Sequence, residues 1–166
     1  MFEIGTQVVY GIHGVCIVTG LECKNCGNQQ TEYLVLEPIY QPGSRFLLPT
    51  HNAAAMSKIQ KVLTREELVQ MLQSSVVREH HWIAEEGKRK QTYRELISSA
   101  DREQLMAIVY TLYQHKASQA EAGRKVHLCD ENFLRDTEKL LSSEIAFAMN
   151  MELTEAKQYL RSCLQK

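Results

Sequence analysis

Two periods of hydrophobic and polar positions divide this chain. Over residues 1–49 apolar positions recur with a period near two: TQVVYGIHGVCIVTGLE sets short β-branched runs between Gly11, Gly14 and Gly20, the pattern of strands joined by tight turns or bent by bulges. TEYLVLEPI and SRFLLP add two more runs, each stopped by a proline that cannot donate to a sheet ladder. All three prolines and six of the eight glycines fall in this part. About four short strands in some 50 residues are too few for a large open sheet, so a small rolled or barrel-like module is expected.

After His51 the period changes to 3.6 and proline disappears, which permits long helices. Thr64 with Glu67 three residues on fits a capping box that opens a helix burying Leu68, Met71 and Leu72. A second helix is predicted to run through Trp82 to about Ile97, where Ser98, Ser99 and Asp101 supply a break and a new cap. Leu105, Ile108, Val109 and Leu112 mark a third helix. A fourth covers about 130–149 with Phe133, Leu134, Leu140, Leu141, Ile145 and Phe147 inward. Thr154 caps a short last helix carrying Ala156, Tyr159, Leu160 and Cys163, which closes the bundle. The expected fold class is α+β: a β module over 1–55 followed by an all-helical domain over 56–166.

Composition narrows the function classes. With 44% hydrophobic residues, 23% charged residues and a formal net charge of -1, the chain reads as globular, and no global excess of positive charge announces a nucleic-acid binder. No basic segment followed by an apolar run opens the chain, and no stretch approaches the ~20 apolar residues that span a bilayer, so a cytoplasmic protein without membrane contact is expected. Five cysteines, an odd number without a secretory leader, point to reduced thiols.

Candidate chemistry is sparse. Cys23 and Cys26 form a Cys-x-x-Cys before Gly27, the shape of a zinc knuckle, yet tetrahedral structural zinc needs four ligands and Cys16, Cys129 and Cys163 lack a matching second pair. The expectation is no metal and no cofactor, with Cys23 and Cys26 the ligands if zinc binds. His13 and His51 have neither a nucleophile nor a carboxylate at an interpretable spacing and read as turn histidines. Phosphate-binding glycine motifs, the Gly-x-Ser-x-Gly elbow and the His-Glu-x-x-His helix are absent, so no enzyme is expected.

The stretch VVREHHWIAEEGKRKQTY holds the one tryptophan of the chain, Trp82. Around Trp82, from Arg78 to Arg94, Arg78, Lys88, Arg89, Lys90 and Arg94 place five positive charges against Glu79, Glu85 and Glu86. On a helix, Arg78, Trp82 and Arg89 share one stripe, setting the indole between two guanidinium groups. That arrangement suits nucleic acid, the cations holding phosphates while the ring wedges against a base or groove wall. It equally suits a half-buried anchor between helices, with long basic side chains snorkelling around it.

In order, FEIGTQVVYGIHGVCIV, EYLVLEP, Leu48-Pro49 with His51-Asn52, TREELVQMLQ, the lone Trp82, the break over 95–101 and EQLMAIVYTLYQHK resemble the CarD/CdnL family of bacterial transcription regulators. The opening module of that family also occurs in the transcription-repair coupling factor. The resemblance implies a Tudor-like N-terminal module that docks on the RNA polymerase β subunit and a helical domain that touches promoter DNA at the upstream edge of the melted region. Trp82 matches the tryptophan that wedges in the minor groove, with Arg78, Lys88, Arg89 and Lys90 as its basic neighbours. Lys24 and the strand Arg45, Phe46, Leu47 match polymerase-facing positions. Glu85 and Glu86 stand where relatives usually carry arginines, Leu47 where the residue is often basic, and the Cys23 to Cys26 hairpin is peculiar to this chain.

What the resemblance implies is a non-catalytic regulator that stabilises the open promoter complex through Trp82. The alternative is an adaptor that binds polymerase without touching DNA. A monomer is expected, with a strand-exchanged dimer through the exposed edges of the β module as the alternative.

Overall fold

A computed structural model describes residues 2–27, 29–79 and 81–166, with Cys26 described by its backbone alone. The chain falls into two compact units, Met1–Val62 and Leu63–Lys166. Five antiparallel strands build the first: β1 (Gln7–Tyr10), β2 (Val15–Cys26), β3 (Gln29–Pro38), β4 (Phe46–Pro49) and β5 (Ile59–Lys61), in the order β4-β3-β2-β1-β5. A 3-10 turn at Gly11–His13 joins β1 to β2, and Gly27, at φ +66, turns the long β2–β3 hairpin. The ladder between β2 and β3 slips between Val18 and Gly20, the bulge that a glycine inside an apolar run suggests.

This sheet is rolled. Tyr10 in β1 and Phe46 in β4 lie three strands apart in the order, yet their ring centroids are 5.7 Å apart; in a flat sheet three spacings amount to about 14 Å. The core draws on every strand: Val8, Cys16, Val18, Leu34, Leu36, Leu48 and Ile59, with Phe2, Tyr10, Phe46 and Met56 packed against it. Burial of each such side chain contributes about 1.5–3 kcal/mol. The unit is a small rolled module, as the alternating pattern predicts, and fits the Tudor-like module that the resemblance implies. It ends at Val62 rather than near residue 55, because after the single helical turn α1 (Ala53–Met56) the strand β5 pairs with β1 through Ile59 to Tyr10. Three residues are too few to display a period, which hides β5 from the sequence.

Among the described residues six helices make the second unit: α2 (Arg65–Leu72), α3 (Ser75–Arg78), α4 (Glu86–Ser99), α5 (Arg102–Glu121), α6 (Leu128–Met149) and α7 (Leu153–Leu164). The Thr64 box is present: its hydroxyl accepts from the Glu67 N–H at 3.2 Å and the Glu67 carboxylate from the Thr64 N–H at 2.7 Å. The α4 to α5 break falls where expected, with Ala100 left-handed at φ 54 and the Asp101 carboxylate accepting from the Gln104 N–H. Helix α7 begins before Thr154, since the Glu152 N–H donates to Glu155 and Thr154 lies inside the first turn.

Around α5 lies the core of this unit. Leu105, Met106, Ile108, Val109 and Leu112 are buried there with Leu68, Leu72, Val77, Tyr93, Leu141, Ile145, Ala156, Leu160 and Leu164. Two buried carboxylates cross-link it. Glu138 on α6 accepts from the Tyr113 hydroxyl and from Arg161 at 3.0 and 3.2 Å, and Glu144 accepts from Arg102 at 2.6 Å and from the Leu63 N–H at 2.9 Å.

Candidate functional site

The helix predicted through Trp82 is broken. Helix α3 stops at Arg78, α4 starts at Glu86, and Trp82 with its described neighbours His81, Ile83 and Ala84 is non-helical, so the stripe of Arg78, Trp82 and Arg89 does not exist as a helix face. The backbone groups of this segment bond elsewhere: the Arg89 Nη1 donates to the carbonyls of Ile83 at 2.9 Å and Ala84 at 3.3 Å, satisfying groups that no helical turn satisfies here.

Arg89 occupies the centre of the site. Its Nε and Nη2 donate to Oδ1 and Oδ2 of Asp130, both at 2.9 Å, with the arginine 2% and the aspartate 0% exposed. Hydrogen bonding to Asp130 holds the guanidinium pKa above its ordinary value. The same guanidinium lies 4.2 Å from the centroid of the Trp82 ring, within cation–π range. On Trp82 the His115 imidazole of α5 stacks face to face, centroids 3.6 Å apart and planes 8° from parallel. The indole is half-buried.

Arg78 secures the other end of the segment. It donates to the carbonyls of Leu72 at 3.1 Å, Ser74 at 3.4 Å and Cys163 at 3.1 Å, and its guanidinium lies 5.9 Å from the Tyr110 ring. Of the expected cations, then, Arg78 and Arg89 tie the Trp82 segment to the helices. Lys88 is exposed. Lys90 is half-buried and paired with Glu86 at 2.5 Å, a hydrogen bond that lowers the pKa of Glu86 and raises that of Lys90. Glu85, Arg94, Arg124, Lys125 and His127 are exposed.

Sequence reasoning missed His115 and Asp130. Burial of Arg89 was legible in principle, since Arg89, Tyr93 and Ala100 fall on one helical stripe and all three are buried. Nothing local marks His115 or Asp130, whose partners lie 33 and 41 positions away.

On the β module, Lys24 is exposed on the hairpin, 3.9 Å from Glu22. Arg45 pairs with Glu22 and, at 3.6 Å, with Glu37. Phe46 packs into a ring cluster, its centroid 4.1 Å from that of His13. Burial, then the nearby Lys58 charge, lowers the His13 pKa. Among the described residues no strand pairs with the outer side of β4. The Thr50 N–H donates to the Glu32 carbonyl at 3.0 Å, so by antiparallel alternation Leu48 and Phe46 bond to β3 and the Leu47 N–H points off the edge. His51 is exposed.

Cys23 lies in β2 and is exposed; the Cys26 side chain is outside the described residues. Among the described residues no group of three or more His, Cys, Asp or Glu is placed to hold a metal ion. No described helix is long and apolar enough to cross a membrane. Residues 2–62 match the model of the family described as the CarD-like/TRCF RID domain.

Proposed function

We propose, from the premise that residues 2–62 belong to the CarD-like/TRCF RID domain family, a polymerase-interaction domain, that this chain is a non-catalytic regulator which docks on the RNA polymerase β subunit and stabilises the open promoter complex. The β4 edge is the docking element. Its outward Leu47 N–H offers a partner strand a main-chain bond, and Arg45, Leu47 and the Lys24 hairpin supply side chains around it. The helical unit meets DNA through Trp82.

The single observation that carries the DNA reading is the setting of the lone indole: half-exposed, in a segment fixed at both ends, with Lys88 and Lys90 of α4 following it. Lys88, Lys90 and the loop residues Arg124 and Lys125 are the phosphate contacts. Arg78 and Arg89 act by holding the segment. Few phosphate contacts give weak binding to free DNA with a shallow salt slope, about 0.9 per neutralised phosphate. Tethering to polymerase raises the effective concentration, so a weak wedge is sufficient, and preferring open over closed DNA shifts the population by that difference in affinity alone. Cross-linking tests this: a photoreactive residue at position 82 gives an adduct to promoter DNA in the polymerase complex.

A second reading is favoured by the stack of Trp82 on His115 and by the acidic pair Glu85 and Glu86 beside it. In that reading the indole is an internal anchor and the chain is an adaptor that binds polymerase alone; the cross-link then yields no DNA adduct.

A further inference from the structure

Trp82 is unusual in being a half-exposed ring whose surroundings are built to fix it. Three elements converge: the segment itself, pinned by the bonds from Arg89 to Ile83 and Ala84; α6, through Asp130 on Arg89; and α5, through His115. His115 is in turn oriented, its Nε2 lying 3.3 Å from the Gln119 amide nitrogen one turn on. That spacing is within hydrogen-bond reach of the amide group.

We propose that His115 is a positioning residue, which with the buried Arg89–Asp130 pair holds the Trp82 indole in one preset orientation for DNA. The inference rests on the DNA reading above. An indole loose in solution would have to be immobilised on binding, and ordering a side chain opposes association; stacking has already ordered this one. The neutral form of His115 is the one that fits. Burial lowers its pKa, the Arg89 and His127 charges lower it further, and Asp130 acts in the opposite direction. Protonation adds a cation beside Arg89.

Because Trp82 is the only tryptophan, its emission reports on this site alone. Fluorescence anisotropy decay and pH titration of emission are measured on the full chain as wild type, His115→Ala and His115→Phe, alongside open-complex half-lives with the host polymerase. In the wild type the indole shows no fast local motion, and its emission titrates with a midpoint below 6.5 as the stacked imidazole gains a proton. His115→Ala introduces fast indole motion and shortens the half-life roughly three- to tenfold. His115→Phe keeps a flat ring, restores both, and abolishes the titration.

A wild-type indole that is already mobile, or emission without a midpoint below 6.5, overturns the proposal without requiring any variant to fold. An alanine variant that loosens the indole but leaves the half-life unchanged overturns it too, as does a phenylalanine variant that restores neither. If wild-type protein fails to prolong open complexes while its indole is fixed as described, the DNA reading itself fails and the stack is an internal anchor.

Discussion

Arg89 grips Asp130 through two parallel hydrogen bonds of 2.9 Å, and the pair is almost wholly shielded from water. Removing one partner of such a pair leaves a buried charge without compensation, at a cost of about 3–5 kcal/mol. Arg89→Ala and Asp130→Ala therefore each lower the stability of the helical unit by that amount in urea unfolding. Arg89→Lys does not rescue, because an ammonium cannot make the two-pronged contact and reach Ile83 and Ala84 together. A surface cation making phosphate contacts would, on substitution, leave stability within about 0.5 kcal/mol.

The β4 edge makes a separable prediction. Leu47→Pro deletes a main-chain donor that points away from β3, so the β3–β4 ladder keeps its bonds. The variant folds, with unchanged circular dichroism, and loses polymerase binding by roughly tenfold or more in a pull-down or biosensor titration. Arg45→Ala breaks only exposed pairs with Glu22 and Glu37, worth about 0–1 kcal/mol to stability. Loss of polymerase affinity in that variant reports a direct contact.

Acid weakens the helical unit in two stages. His115 has a lowered pKa because it is buried, so the unfolded chain takes up its proton first and stability falls as pH drops from about 6.5 to the folded pKa. For Glu138, burial alone raises the pKa, but hydrogen bonds from Arg161 and Tyr113 outweigh it and the net shift is downward. Its contribution is complete above about 4.5 and is lost as pH falls through the lowered folded pKa. Urea midpoints between pH 7 and 3 show both stages. Glu138→Gln lowers stability at pH 7 by roughly 1.5–3 kcal/mol and flattens the second stage.

Thiol labelling distinguishes two cysteines of the β module. Cys16 is fully buried and its pKa is pushed up to about 11 by burial, so it stays unreactive until the unit unfolds. Cys23 is exposed on β2 and labels in the native state. Mass spectrometry after brief alkylation checks the pair; native labelling of Cys16 at the rate of Cys23 contradicts the packed core.

What the sequence revealed was whatever its local chemistry settles. Thr64 and Glu67 are three residues apart and satisfy each other, and Asp101 caps the helix that begins one residue later. The rolled module followed from alternation and from prolines that stop strands. Long-range partners were invisible. β5 is held by its pairing with β1, and the carbonyls of Ile83 and Ala84 beside Trp82 are satisfied by an arginine side chain rather than by a helical turn. The members of the basic cluster could not be told apart for the same reason: a guanidinium engaged by a buried aspartate 41 positions on has the same letter as one in solvent.

The most direct test of the account is the dissociation half-life of open promoter complexes formed by the host polymerase, measured with wild-type protein, with Trp82→Ala, and with none. Polymerase binding of both proteins is measured in parallel. The account predicts that wild type lengthens the half-life and that Trp82→Ala, bound to polymerase as tightly, returns it to the value without protein. A Trp82→Ala protein that binds polymerase and prolongs the complex as well as wild type contradicts it.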